Sequence, residues 1–442
     1  MGAQGGHPAS GRAAFLLLWL GALPSPDQGQ LEDVRAVLRR PSGTEERTAD
    51  ELADGLVALG PAAVPVLYEI VTGRGLELLV GEEWRPADWS CEPEAIPGLC
   101  LLALERAPTD AVIKEIERAL ADEPSDQDRL VLLRLLGAKG SAAGLALAFR
   151  AAAQLGDLEL LRPRVRTALR EALAAIMRRD PSSWSLLDQA LAKLEPATRE
   201  VLVDAIGDAG LKQGMAVLVR LLQAGQPSRA KVVENMARLE CARPWDLAGQ
   251  TMEHAARLLN SQEAAERALA ARVAGSVQAL EVIPELIGLV DDPEPLVSRC
   301  AVEALAALAD LPLGSESGAW EAWHQRERIW RETSWTPLLD ALVSARPGPA
   351  NEALRELVQH PLYRHEAALA IADCLALQPH AVALAACAEL EALGSLWALP
   401  GLIATLEQAQ PQLRAAAWRA LRALTGEERK LAPALWRSLV DA

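Results

Sequence analysis

Apolar side chains recur at Val297, Ala301, Ala304, Leu305 and Leu308, while Arg299 and Glu303 fall on the opposite side. Offsets of 4, 7, 8 and 11 place one apolar stripe along an α-helix. A helix of this kind cannot cover its own stripe, so it needs similar helices stacked against it. The chain supplies them. Residues 284–308 align with residues 400–424 without a gap, at a shift of 116 and with nine identities in 25 positions. The identities include Pro284 with Pro400, Leu286 with Leu402, Ile287 with Ile403, Pro295 with Pro411, and Leu305 with Leu421. The shift is close to three units of about 39 residues, a period typical of stacked helical repeats.

Punctuation agrees with the periodicity. A proline followed two places later by leucine opens apolar stretches at Pro65, Pro97, Pro284, Pro337 and Pro400. Proline suits a helix's first turn, where its missing N–H would have had no partner. Gly60 and Gly394 stand where a helix ends in a left-handed residue, and Gly137, Gly207 and Gly275 read as the same stop signal. Two stretches break the rhythm and are expected to be loops. Residues 73–98 carry Trp84, Trp89 and several prolines, and residues 312–334 carry Trp320, Trp323 and Trp330.

Residues 291–311, DDPEPLVSRCAVEALAALADL, and 410–426, QPQLRAAAWRALRALTG, closely resemble the first helix of HEAT repeats. The tryptophan-rich stretch resembles the spacer that follows a HEAT helix in some large bacterial repeat-protein groups. The resemblance covers residues 261–442 clearly and extends loosely back to about residue 49. It implies an all-α fold, a right-handed α-solenoid of stacked antiparallel helix pairs with an extended binding face. The expected organisation is residues 1–29 as a signal peptide and linker, 30–260 as degenerate HEAT-like repeats, and 261–442 as clearer repeats with a tryptophan-rich insert at 312–334.

Composition narrows the function classes. Hydrophobic residues make up 50% of the chain, chiefly alanine and leucine, so burial is ample and helices are favoured over sheet. The formal charge of −16 repels phosphate backbones and disfavours a general nucleic-acid or anionic-membrane binder. The apolar run at residues 13–23, AAFLLLWLGAL, follows Arg12 and precedes a breaker-rich segment, the order of a secretory signal peptide. Its eleven residues fall short of the roughly 20 that a membrane span needs. Export to the periplasm or medium follows if this is a signal. A cytoplasmic location follows if it is a tail or a hydrophobic first helix.

Candidate chemistry is sparse. Six cysteines show no C-x-x-C spacing, and Cys91 with Cys100 is the one pair close enough for a disulfide in an exported protein. His360 and His365 are spaced poorly for one helix face, so no metal site is assigned. No nucleophile elbow, phosphate loop or dinucleotide fingerprint occurs, and neither a catalytic residue nor a cofactor is expected. Adjacent acids such as Asp291 and Asp292 read as turn and cap residues. Partner-binding candidates are Trp84, Trp89, Trp320, Trp323 and Trp330, because tryptophan is enriched at interface hot spots. Each could equally fold its own loop back onto the helices. Arg162, Arg166 and Arg170 form a basic stripe within residues 162–179. Its alternatives are a solvated face paired with acids and an anion-binding contact, the latter being the basis of a solenoid enzyme or nucleic-acid-acting protein. The leading expectation is a non-catalytic scaffold that binds a protein partner, with no stable membrane span and with its oligomeric state open.

Overall fold

The computed structural model describes residues 28–39, 47–80, 89–122, 124–160, 162–224, 228–243, 247, 249–344, 346–407 and 410–441. Among them there is no β-strand, and a single bridge pairs Arg39 with Trp89. The fold is all-α. The chain divides between Thr198 and Arg199 into two compact units. This division differs in place from the change in sequence regularity near residue 260.

The first unit contains α1 (Gln28–Leu38), α2 (Ala49–Ala58), α3 (Val64–Val71), α4 (Leu76–Val80), α5 (Ile96–Arg106), α6 (Thr109–Ala121), α7 (Asp126–Lys139), α8 (Ala142–Leu160), α9 (Pro163–Arg179) and α10 (Ser183–Ala190). Helices α2, α5, α7 and α9 pack in succession as one layer, and α3, α6, α8 and α10 as a second. The division falls in the first turn of α11 (Pro196–Ala209), and the second unit continues with α12 (Gln213–Ala224), α13 (Arg229–Ala242), α14 (Gln250–Ala255), α15 (Ala264–Ser276), α16 (Ile283–Val290), α17 (Pro295–Ala309) and α18 (Ser317–Val343). It ends with α19 (Pro347–Leu357), α20 (Arg364–Cys374), α21 (His380–Leu393), α22 (Leu399–Thr405), α23 (Pro411–Thr425) and α24 (Pro433–Asp441). Here α13, α15 and α17, then α19, α21 and α23, form one layer, while α16, α18, α20, α22 and α24 form the other. In each unit most helices pack on a sequence neighbour and on the next member of their own layer, the pattern of stacked helical repeats.

The stripe read from the sequence is the stripe that is buried. Helix α17 hides Val297, Ala301, Ala304, Leu305, Leu308 and Ala309, and α23 hides Leu413, Ala416, Ala417, Ala420 and Leu421. Each buried leucine contributes about 1.5–3 kcal/mol relative to leaving it in water. The two segments that align at a shift of 116 become α16 with α17 and α22 with α23, three steps apart in both layers. Pro284, Pro295, Pro400 and Pro411 all stand in the first turns of their helices.

Several sequence expectations need correction. Gly137 and Gly275 lie inside helices because the next helix of the layer comes too close for a side chain. A Cβ on Gly137 would lie 3.1 Å from the Cα of Ala172, and one on Gly275 2.9 Å from the Cα of Ala304. Gly207 is likewise helical, against Asn235 of α13. Gly60 and Gly394 do hold positive φ, as a stop requires. The stretch 312–334 is a loop only as far as Glu316, and from Ser317 it is helix. Helix α18 runs through Pro337, which therefore does not begin a helix and omits one backbone hydrogen bond. In the 73–98 stretch, residues 76–80 form α4 and residues 93–95 a 3-10 turn, while Trp84 lies outside the described residues. Cys91 and Cys100 are free thiols. The apolar run at residues 13–23 also lies outside the described residues. No single helix among the described residues is long and apolar enough to cross a membrane.

A turn-lined groove as the candidate functional site

Five successive turns of the second unit, each leading from one layer to the other, line one groove of about 1010 Å³. The volume is at the upper end of ordinary ligand pockets. Cys241 at the end of α13 and Gly249 form the first edge, followed by Ser276, Val277 and Gln278 after α15. Asp310 at the end of α17, Tyr363 and Arg364 before and at the start of α20, and Gly394 with Trp397 after α21 complete it. His324 and Arg328 of α18 also line the groove.

Local chemistry fixes these turns. Glu240 is 2% exposed and accepts from the amides of Gly249 at 2.6 Å and Thr251 at 2.8 Å, tying the turn before α14 to α13. Burial pushes its carboxyl upward, against those hydrogen bonds. Gln278 and Asp310 are, among the described residues, the non-glycine positions with left-handed backbone, at φ 58° and 52°. Both line the groove. Such geometry disfavours side-chain-bearing residues, and it concentrates where turns are held by their surroundings for a purpose. The side chain of Gln278 donates to the carbonyl of Gly275 at 3.1 Å, which offsets part of the cost.

His365 and Ser395 form the one pair here that has the form of a catalytic dyad, with Nδ1 2.9 Å from Oγ. Their surroundings make them a structural lock. Ser395 is 1% exposed, and its hydroxyl accepts from the amide of Trp397 at 3.4 Å in the turn before α22. The imidazole is stacked on Trp397 at 5.4 Å between ring centroids and 18° between planes. Burial, with a smaller contribution from the charge of Arg364, pushes His365 down to about 4, far from the value a general base needs near neutrality. Burial likewise raises the Cys241 thiol, away from a reactive thiolate, and its Sγ donates to the carbonyl of Ser276 at 3.1 Å.

Charges around the groove are mostly engaged. Glu366 pairs with Arg331 at 2.6 Å, and that guanidinium lies 3.8 Å over the Trp335 ring. Arg328 lies 3.8 Å from Glu332. Arg364 differs: among the described residues it makes neither a hydrogen bond nor an ion pair, and its Nη2 is enclosed without an acceptor. Burial lowers its pKa, and the more distant charge of Asp310 partly compensates.

The residues singled out from the sequence lie elsewhere or deeper. Trp320 is 0% and Trp323 2% exposed, edge-to-face at 6.0 Å, with the indole of Trp320 donating to the carbonyl of Gly314 at 2.8 Å. They anchor α18 and present no surface to a partner. Trp89 is buried beside Arg39. Trp330 is half-buried, stacked on His360 at 3.5 Å, with its indole donating to Glu356 at 3.2 Å. Arg162 stands before α9, and Arg166 and Arg170 within it; all three already have interaction partners. Among the described residues no group of three or more metal-ligating side chains occurs.

No protein-family model matches the chain, and no curated protein matches it. Among solved structures, an engineered protein is similar at 17% identity, with 89% of this chain and 98% of that chain covered and a TM-score of 0.24. A Kap121p mutant is similar at 12% identity and a TM-score of 0.38, over 92% of this chain and 42% of that one. A chain of the Pds5–Scc1 complex is similar at 12% identity and a TM-score of 0.23, over 89% and 64%. This chain thus spans less than half the length of the Kap121p chain it matches. Any likeness at these values is one of fold alone.

The groove residues carry no local sequence signature, because they are scattered from Glu240 to Trp397 and meet only when five turns align. The proline-and-leucine signal does mark two of these turns, before α16 and α22, but carries no sign that they converge.

Proposed function

We propose that the chain is a non-catalytic scaffold that binds a protein partner in the groove of its second unit. The observation that carries this reading is the convergence of five turns on one open space that has apolar, aromatic and charged walls. Repeat stacks offer such extended surfaces, and loops held by a rigid scaffold are where binding concentrates. A catalytic reading gains nothing from the groove's titratable groups, because His365 and Cys241 are shifted away from useful values. A nucleic-acid reading through residues 162–179 gains nothing either, since Arg162, Arg166 and Arg170 are already engaged.

A photo-reactive amino acid placed singly at Ser276, at Trp397 and at the exposed Arg299 of α17 tests the proposal in extract of the native organism. The expected outcome is one discrete adduct, of the same mass, from the two groove positions and none from Arg299. Adducts that do not distinguish the groove from Arg299, or no adduct at all, would contradict it.

A further inference from the structure

We infer that the groove recognises an extended peptide segment through a side-chain carboxylate held by Arg364, with a neighbouring apolar side chain against Trp397. The inference rests on the binding role proposed for the groove and specifies its ligand.

Arg364 opens α20 and lines the groove beside Leu362 and Trp397. A guanidinium removed from water is normally matched by a carboxylate or by several carbonyls, and one left unmatched is costly. No such match exists among the described residues, and one of its nitrogens has neither an acceptor nor contact with solvent. The turn therefore holds a partly buried cation with donor capacity left for a ligand. Neutral His365, stacked with Trp397, adds a flat apolar platform next to it without a second positive charge.

A carboxylate fits this place better than a phosphate. Glu240, Glu281, Asp310 and Glu366 line the same groove as Arg328 and Arg364, so a dianion would meet more repulsion there than a single carboxylate. A single carboxylate would accept from the guanidinium donors of Arg364 that reach the groove. A peptide fits better than a compact ligand, since five turns leave an open trough of about 1010 Å³.

The test uses the full chain and short random peptides displayed for selection, followed by synthetic copies measured by fluorescence anisotropy. Selected peptides are expected to carry Asp or Glu next to a bulky apolar residue. Replacing that acid by its amide should weaken binding by about tenfold or more. In Arg364→Gln the acid and amide peptides should bind alike, Arg364→Lys should fall between, and Asp310→Asn should bind the acid peptide more tightly than the unaltered chain. Thermal melting of each variant establishes that it is folded. Ser276→Trp, which places a large ring at the groove wall, should block every selected peptide.

Peptides without an acidic preference, an undiminished acid-to-amide difference in Arg364→Gln, or tighter binding of a phosphoserine peptide would overturn the inference while leaving groove binding intact. Selected peptides indifferent to Ser276→Trp, or no selected peptide at all, would overturn the groove reading itself.

Discussion

Gly275 and Gly288 lie in consecutive helices, yet their surroundings are opposite. A side chain on Gly275 meets the backbone of Ala304, whereas nothing lies within 4 Å of the corresponding point on Gly288. Gly275→Val is expected to destabilise the protein by roughly 1–3 kcal/mol through overpacking, and Gly288→Ala to stabilise it by up to about 1 kcal/mol through helix propensity. Urea denaturation measures both. Gly60 and Gly394 end helices as their pattern implies, whereas Gly137, Gly207 and Gly275 lie inside helices against a neighbouring one. A glycine that ends a helix and one that admits a neighbouring helix look alike until the neighbour is placed. Asp292 teaches the same lesson. Its Oδ1 accepts from the amide of Glu294 at 2.9 Å, as a turn residue should. It also forms a two-bond pair with Arg267, at 2.8 and 2.9 Å across 25 residues of chain, which no local pattern announces. His365 carries the pH dependence. Its folded-state value, about 4, lies below the unfolded value of about 6.5, so the unfolded chain takes up a proton first as the pH falls. The stabilisation is complete above about pH 6.5 and is lost as the pH falls through the folded value. Between pH 7 and 5 the loss is about 2 kcal/mol. The unfolding free energies from urea denaturation at the two pH values should therefore differ by that much more in the unaltered chain than in His365→Gln, and an equal difference in both would contradict the assignment.

At the scale of elements, amphipathic spacing was the most readable quantity. Val297, Ala301, Ala304, Leu305 and Leu308 were assigned to a buried face from their spacing and are buried. The offset of 116 residues proved to be three structural steps because each step repeats the same two crossings. Helix α18 was not readable in this way. Its tryptophans are large and its charges many, so its stretch resembles an insert, although the buried rings of Trp320, Trp323 and Trp335 provide its packing. Pro337 within it depends on that packing, since proline alone would end the helix. Truncating Leu305, which is fully buried in α17, to alanine is expected to cost about 2–5 kcal/mol.

At the scale of the whole molecule, each unit gains its core from adjacent helices, so damage should stay local. Leu305→Ala should therefore shift one of two denaturation transitions, that of residues 199–442, and leave the other in place. A single transition shifted as a whole would show that the units unfold together. The all-α class and the stacking principle were legible in the sequence, because both follow from short-range periodicity. The groove was not, since it depends on which turns meet, and that is set by the small rotation between successive helices. Those turns are the proposed binding face. Amide hydrogen exchange of the full chain, with and without a peptide selected on it, tests this most directly. New protection is expected in residues 276–284, 360–366 and 393–397 and none in residues 162–179. Protection confined to helix faces away from these turns would contradict it.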